Sequence, residues 1–184
     1  LKKRRGSVVA VDISDGAIVT YLSSPSFSVN KIANGLSQND FNELIEDKNK
    51  PFFDRAAQGR YSPASTIKPA IGLFGLENNI IDWDFTIDDP GYFELPEDGR
   101  IYRGWKKGGH GKINLQDAII ESSNTFFFSL AYKSEIEELI KHLSYFGFGR
   151  NVCLDCFLPD NGLLPNPAWK MNTLNFGWFK GDTV

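Results

Sequence analysis

The segment YSPASTIKPA, residues 61–70, constrains the fold of this chain more than any other. An apolar run from Ile71 to Leu76 follows it. Pro69 has no N–H, so it is tolerated in the first turn of a helix and poorly deeper inside one. The sequence therefore predicts a buried helix that begins at about Ser65 and ends at about Glu77.

Ser65 and Lys68 lie three residues apart, so they share one face of that helix and can meet. A serine hydroxyl is a weak nucleophile at neutral pH and needs a neighbouring base. The helix N-terminus carries partial positive charge, and with partial burial this disfavours the ammonium form of a lysine. Free N–H groups in the first turn can also stabilise an oxyanion. The pair is therefore a candidate nucleophile and base.

The S-x-x-K pattern by itself is weak evidence, because Ser28-Val29-Asn30-Lys31 matches it equally well. That second match follows Ser24-Pro25-Ser26 and leads into no long apolar stretch, so it predicts a strand end and a turn. Ser65 differs because a proline stands on each side of its motif and an apolar helix follows.

Composition narrows the class of protein. The chain has 184 residues, which is enough for one domain with a hydrophobic core. A net charge of −3 gives no indication of binding to nucleic acid. No stretch approaches the roughly 18 apolar residues of a membrane span, and no signal peptide is recognisable. Because the chain starts at Leu1 rather than Met, we expect it to be a piece of a longer protein.

The two cysteines, Cys153 and Cys156, form a single C-x-x-C motif. Such a motif serves redox chemistry or forms half of a zinc site. There is no second pair and no βαβ pattern around it, which favours two reduced cysteines near a strand or loop. Two cysteines are too few for a disulfide scaffold.

The first part of the chain predicts a hairpin, a loop and a helix. Residues 7–12 and 17–22 are β-branched runs joined by turn residues. Residues 23–35 are rich in Ser, Pro and Asn and predict a loop. Ser37, with Asp40 three positions on as a capping box, predicts a helix of about ten residues.

From residue 81 onward the sequence predicts short strands followed by helices. Residues 81–88 predict an extended segment, and residues 93–95 with 100–102 predict a second small hairpin. The glycine-rich loop 106–111 lacks the spacing of a phosphate-binding loop. Signals of regular secondary structure are few beyond Gly149. The sequence has no internal repeats and no low-complexity linker, which predicts that the chain forms one structural unit.

Three helices are predicted between residues 114 and 147. Asn114 with Asp117 starts the first, and a break at residues 121–124 precedes an apolar core helix at 125–132. Ser134 with Glu137 is predicted to cap a third helix, which Gly147 ends.

The break contains Ser122-Ser123-Asn124, and with it the chain resembles a known family. Penicilloyl serine transferases carry S-x-x-K, then S-x-N, then K-[ST]-G. Residues 28–30 and 37–39 also match S-x-N, but only Ser122 lies in a break between two helices. Residues 5–12 and 23–27 look like the opening strands of class B transpeptidase domains. Further segments resemble the penicillin-binding protein 2 family, which acts in elongation of rod-shaped cells: residues 59–69, 103–107, 109–111, 123–127, 146–149 and 180–184.

The resemblance implies a mixed α/β fold, the penicillin-binding protein transpeptidase or serine β-lactamase-like fold. In it an antiparallel sheet and an all-helical part flank the active site. It also implies that Ser65 attacks a peptidoglycan stem peptide at the penultimate D-Ala and that Lys68 takes the hydroxyl proton. Ser122 would relay a proton to the leaving amine, and Asn124 would hold Lys68 and the substrate amide. β-Lactams would acylate Ser65, and no cofactor is implied.

The chain departs from this family pattern in two ways. It contains no K-[ST]-G, so residues 1–184 are expected to be a transpeptidase domain that is incomplete at its C-terminus and inactive or impaired alone. Some family members also hold a zinc ion with two Asp, one His and one Cys. Asp89 and His110 match two of these ligands, but Gly104 and Ser123 stand at the other two positions. Two ligands cannot form a closed tetrahedral site, so we expect no metal and loop hydrogen bonds at His110.

Three functions remain open at this point. The first is a D,D-transpeptidase of cell-wall elongation, and the second is a serine β-lactamase or β-lactam sensor on the same fold. The third is an inactive fragment that lacks the third motif. No segment resembles the loop that carries the deacylating Glu of class A β-lactamases.

The resemblance also implies partners and a location for the full-length protein. The partners would be peptidoglycan stem peptides, β-lactams, an elongation glycosyltransferase and shape proteins, with no nucleic acid. The location would be the periplasmic side of the bacterial inner membrane.

Overall fold

A computed structural model describes residues 4–152 and 159–183 of the chain. They form two compact units, one within Leu1–Tyr61 and Asn151–Asn161, the other within Ser62–Arg150 and Gly162–Val184. The interpretation of residues 1–184 as one incomplete domain stays a prediction. Cys153 and Cys156 lie outside the described residues, so the interpretation of the C-x-x-C motif also stays a prediction.

The first unit contains the predicted hairpin. Strands β1 (Gly6–Val11) and β2 (Ile18–Ser24) pair antiparallel, with Val8 opposite Leu22. Two helices follow, α1 (Val29–Ala33) and α2 (Gln38–Glu46).

Serine caps begin both helices of this unit. The Ser37 hydroxyl oxygen accepts from the Asp40 N–H at 3.1 Å, which confirms Ser37 as the predicted N-cap of α2. The Asp40 carboxylate accepts from the Ser37 hydroxyl at 2.6 Å instead of from the Ser37 backbone N–H that a capping box would use. The prediction of a turn at Ser28 was wrong, because Ser28 accepts from the Lys31 N–H and begins α1. The second S-x-x-K motif therefore has a structural use, in which its serine caps a short helix.

The second unit combines two antiparallel strand pairs with helices. Strand β3 (Thr86–Asp89) pairs with β6 (Gly111–Asn114), and β4 (Tyr92–Glu94) pairs with β5 (Ile101–Arg103). The helices are α3 (Lys68–Glu77), α4 (Leu115–Ile120), α5 (Asn124–Lys133), α6 (Ile136–Tyr145), α7 (Pro167–Leu174) and α8 (Lys180–Thr183). Among the described residues, none of these helices is long and apolar enough to cross a membrane.

Local signals explain most of these boundaries. Asn114 and Asp117 begin α4 as predicted, and they form a capping box in which each side chain bonds the other residue's backbone. The predicted cap at Ser134 was wrong. Its hydroxyl donates to the Leu130 carbonyl at 2.8 Å and so closes α5, while Glu135 stands at the N-cap of α6.

The sequence interpretation missed α7, although its start has a recognisable signal. The Asn166 side chain accepts from the Trp169 N–H at 2.8 Å, and Pro167 occupies the first turn. Asparagine at the cap followed by proline is a favoured helix start. Helices α7 and α8 were both missed because the sequence beyond Gly149 shows little apolar periodicity.

The main core lies between α3, α4 and α5. Gly75 of α3 faces α5, and a Cβ there would lie 2.9 Å from Leu130 Cδ1, so glycine permits close packing of the two helices. Gly72 of α3 likewise permits close packing against α4, because a Cβ there would lie 2.9 Å from Leu115 Cδ1. The prediction that α5 is a core helix is confirmed. The buried cluster consists of Ile81, Ile113, Leu115, Ala118, Phe126, Phe127 and Leu130.

Replacement of Leu130 by Ala should strongly destabilise the protein. Leu130 is 0% exposed, and a buried Leu→Ala change costs about 2–5 kcal/mol of the free energy of unfolding. Leu73 on α3 is 41% exposed, so Leu73→Ala should cost about 1 kcal/mol or less. Urea denaturation followed by circular dichroism measures both. Equal effects of the two substitutions would contradict this description of the core.

Candidate active site

Ser65 is presented by a tight turn at the start of the central helix. Residues Ala64–Ile67 form a 3₁₀ turn, and α3 continues directly from Lys68. Ala64, the residue before the serine, has φ 48°, a left-handed backbone that non-glycine residues rarely adopt. Unfavourable backbone of this kind is concentrated at functional sites. The predicted helix start and its end at Glu77 are both confirmed.

Lys68 is buried and its ammonium group is fully hydrogen-bonded. Nζ donates to the Ser122 carbonyl at 2.7 Å, to Asn124 Oδ1 at 2.7 Å and to Ser122 Oγ at 3.1 Å. The residue is 8% exposed. Burial disfavours the charged form and lowers the pKa of Lys68 from its ordinary value. The side chain is therefore placed to give up a proton more readily than a surface lysine.

Ser122 lies between the candidate base and the candidate nucleophile. Its hydroxyl donates to Ser65 Oγ at 2.9 Å and accepts from Lys68 Nζ. Within the described part of the chain, no hydrogen bond joins Lys68 directly to Ser65. Hydroxyl hydrogens rotate, so the same contacts can carry a proton in the reverse direction, from Ser65 through Ser122 to a neutral lysine.

The predicted break between two helices places Ser122 and Asn124. Helix α4 ends at Ile120, and Ser123 is the N-cap of α5, its Oγ accepting from the Phe126 N–H at 3.2 Å. Ser122 has φ 53°, again a left-handed backbone. This conformation turns both the carbonyl and the hydroxyl of Ser122 toward Lys68. All four residues proposed from the sequence thus meet in one place.

The sequence interpretation missed two features of the site. The Phe127 ring centroid lies 5.5 Å from Lys68 Nζ, a distance at which an aromatic face attracts a cation. Its spacing of three from Asn124 on α5 was the signal that could have found it. Thr183 of α8 also lines the cleft, beside Ser65 and Lys68. The cleft has a volume of about 390 Å³, and Ile71, Phe128 and Ala131 add apolar walls.

A second polar cluster lies behind the break, around Asp89. Its Oδ2 bonds His110 Nδ1 at 2.6 Å and accepts from the Ser123 hydroxyl at 2.8 Å, and its Oδ1 accepts from the Gly91 N–H at 2.7 Å. Burial alone would raise the pKa of Asp89, but the donors around it outweigh burial and hold that pKa below its usual value. The predicted loop hydrogen bonds of His110 are present.

These residues do not fit a zinc ion. A structural zinc site needs four ligands, and Gly104 offers no side chain. Asp89 Oδ2 is already shared by His110 and Ser123. Among the described residues, His110 Nε2 is buried without a hydrogen-bond partner, but this single atom cannot complete a tetrahedral site. In residues 4–152 and 159–183, no three His, Cys, Asp or Glu side chains are grouped so that they could hold a metal.

Curated relatives match the whole chain. It is 43% identical over 184 residues to the peptidoglycan D,D-transpeptidase MrdA of Acinetobacter baumannii, covering 100% of this chain and 27% of that protein. It is 36% identical over 180 residues to MrdA of Escherichia coli K12, covering 98% of this chain and 28% of that protein. The chain therefore spans less than a third of the length of these relatives.

Solved structures of related proteins also match nearly the whole chain. The chain matches PBP2 of Pseudomonas aeruginosa in complex with WCK 5153 with a TM-score of 0.93 and 37% identity, over 99% of this chain and 41% of that one. PBP2 of Helicobacter pylori in complex with MreC matches with a TM-score of 0.92 and 34% identity, over 99% and 34%. A chain of a peptidoglycan synthase complex matches with a TM-score of 0.85 and 29% identity, over 97% and 30%.

The family model of the penicillin binding protein transpeptidase domain matches residues 6–183 of this chain. This match and the similar solved structures agree with the predicted fold class, a mixture of helices with antiparallel strands. The resemblance carried by the sequence motifs is thereby confirmed. With its fold, its relatives and this match taken together, the chain belongs to the family of penicillin-binding protein transpeptidase domains.

Proposed function

We propose that this chain supplies the acylation site of a peptidoglycan D,D-transpeptidase that cross-links stem peptides during cell elongation. The observation that carries the proposal is the hydrogen-bonded chain from Lys68 through Ser122 to Ser65, with Asn124 on the same lysine. A serine nucleophile with a buried basic partner is the arrangement that acyl transfer requires.

Each residue has a role in the proposed reaction. Ser65 Oγ attacks the carbonyl carbon of the penultimate D-Ala, and its proton passes by way of Ser122 to a neutral Lys68. The same hydroxyl of Ser122 then returns a proton to the departing amine of the terminal D-Ala. Asn124 Oδ1 holds Lys68, which leaves the Asn124 NH₂ group for the substrate amide. An amine of a neighbouring stem peptide then attacks the acyl-enzyme and completes the cross-link.

The relatives support transpeptidation over the alternatives. The MrdA proteins are named as D,D-transpeptidases, and their identity to this chain extends over its whole length. No observation on the site favours a β-lactamase or a β-lactam sensor. The third alternative, an inactive fragment, concerns the 184-residue chain alone, which has no K-[ST]-G motif.

The proposal extends to partners and location. The Helicobacter pylori PBP2 structure contains MreC, which supports a shape protein as a partner of the full-length protein. The match to a peptidoglycan synthase complex supports an elongation glycosyltransferase. The substrate, a peptidoglycan stem peptide, and β-lactam inhibitors would be met on the periplasmic side of the inner membrane.

Replacement of Ser65 by Ala should abolish covalent labelling by benzylpenicillin. The β-lactam carbonyl is expected to acylate Ser65 Oγ, and the adduct should add one molecule of penicillin to the intact mass. Ser28→Ala is the matched control, because Ser28 belongs to the other S-x-x-K motif and caps α1. Mass spectrometry should detect the adduct in the parent and in Ser28→Ala, and none in Ser65→Ala.

The labelling experiment should be made with the 184-residue chain and with the full-length protein. An adduct on both would mean that the site works without the third motif. An adduct on the full-length protein alone would mean that later residues are required. Failure of the full-length protein to form an adduct would contradict the acyl-enzyme mechanism.

Acylation should accelerate as pH rises. Only the neutral amine of Lys68 can accept the serine proton, and burial lowers the pKa of this lysine. While the lysine is mostly protonated, the rate constant should rise about tenfold per pH unit, and it should level off below the pH at which an ordinary lysine titrates. Stopped-flow measurement of the acylation rate tests this. In Lys68→Arg, whose guanidinium stays protonated, the rate should be very low at every pH. A flat profile in the parent would exclude Lys68 as the base.

A further inference from the structure

The left-handed backbone of Ser122 needs support from its surroundings. At φ 53° its carbonyl and hydroxyl both reach Lys68, but serine has no intrinsic preference for this region. Such a conformation persists only where neighbouring contacts over-determine it. Contacts to the residues on either side of Ser122 supply this support.

The residue before Ser122 is held by a tryptophan. Trp105 Nε1 donates to the Glu121 carbonyl at 3.1 Å. Trp105 is 63% exposed, and its ring lies edge-on to the His110 ring, with the ring centroids 5.6 Å apart. An exposed tryptophan that bonds a backbone carbonyl beside the site thus joins the break to His110.

The residue after Ser122 is held by a buried carboxylate. Ser123 is 0% exposed, its N–H donates to the Ala118 carbonyl at 2.9 Å, and its hydroxyl donates to Asp89 Oδ2 at 2.8 Å. Asp89 is 3% exposed and lies at the end of β3. Its Oδ1 is held in turn by the Gly91 N–H at 2.7 Å, so the carboxylate cannot rotate freely.

We propose that Asp89 is a positioning residue, which acts through Ser123 to hold Ser122 and Asn124 in the geometry that Lys68 requires. Trp105 supports the same break through its bond to the carbonyl of Glu121, the residue before Ser122. The inference rests on the proposed function, since it assigns Asp89 a part in acylation of Ser65. In the described part of the chain no hydrogen bond joins Asp89 to Lys68, so its effect on the lysine is indirect. Misplacement of a reacting group by about 1 Å can cost on the order of a hundredfold in rate.

Asp89→Asn tests the proposal with little change in shape. The amide has one acceptor oxygen and one NH₂, whereas the carboxylate accepts from Gly91, His110 and Ser123 through both oxygens. The NH₂ group cannot accept from Ser123 or His110, so at least one of the present contacts is lost or must reverse its direction, and the negative charge that holds them is removed. Asp88→Asn is the matched control, because Asp88 precedes it in β3 and is exposed.

The first measurement is the kinetics of acylation of the full-length protein by benzylpenicillin. In Asp89→Asn the acylation rate constant should fall about tenfold or more, while the dissociation constant of the non-covalent complex changes by less than about twofold. Trp105→Phe keeps a ring but removes the bond to Glu121, and should lower the same rate constant. Asp88→Asn should match the parent. Parental rate constants in Asp89→Asn would overturn the proposal.

The second measurement does not depend on activity. Hydrogen exchange followed by mass spectrometry should show faster exchange of amides 119–126 in Asp89→Asn than in Asp88→Asn, with α6 unchanged. Equal exchange in the two variants, or faster exchange throughout the second unit, would overturn the proposal. If the parent is not acylated, the proposed function fails, and the exchange contrast still decides whether Asp89 holds the break.

Discussion

The buried ammonium group of Lys68 is the interaction on which the site depends. Its three acceptors come from the Ser122 backbone, the Ser122 hydroxyl and the Asn124 side chain. They join the start of α3 to the break before α5, elements that lie more than fifty residues apart in the sequence. A buried charge without such acceptors would be strongly unfavourable, so the geometry of the break and the position of the lysine depend on each other.

Close helix packing makes this arrangement possible. Gly72 and Gly75 let α3 approach Leu115 and Leu130, which brings the first turn of α3 near the start of α5. The same burial lowers the pKa of Lys68. Core packing and chemistry are therefore linked, because the close contact that stabilises the helices also withdraws the lysine from water.

The break itself is shaped by two kinds of contact. Ser123 caps α5 and donates to Asp89, while Ser122 faces the cleft with a left-handed backbone. Behind the break lies a set of hydrogen bonds centred on the Asp89 carboxylate. Such a network can fix a loop without a metal, provided that its donors and acceptors are well matched.

Local sequence patterns predicted many elements of this protein. The proline-flanked motif at Ser65, the capping box at Asn114 and the apolar α5 predicted their structures, because caps and hydrophobic runs depend on neighbours in the chain. The same reasoning failed at Ser134, where a hydroxyl bonded backward to Leu130 instead of forward to a new helix. A residue type that favours helix ends does not specify which end it serves.

The family motifs by themselves assigned Ser65, Lys68, Ser122 and Asn124 to one site. Only the tertiary structure decided that Ser122 stands between Ser65 and Lys68, and that Asp89 at the end of β3 accepts from Ser123. Those contacts join residues far apart in the chain, so no local periodicity or spacing encodes them. The sequence by itself determined which residues are present and which local turns they favour, and packing of α3 against α5 determined the distances.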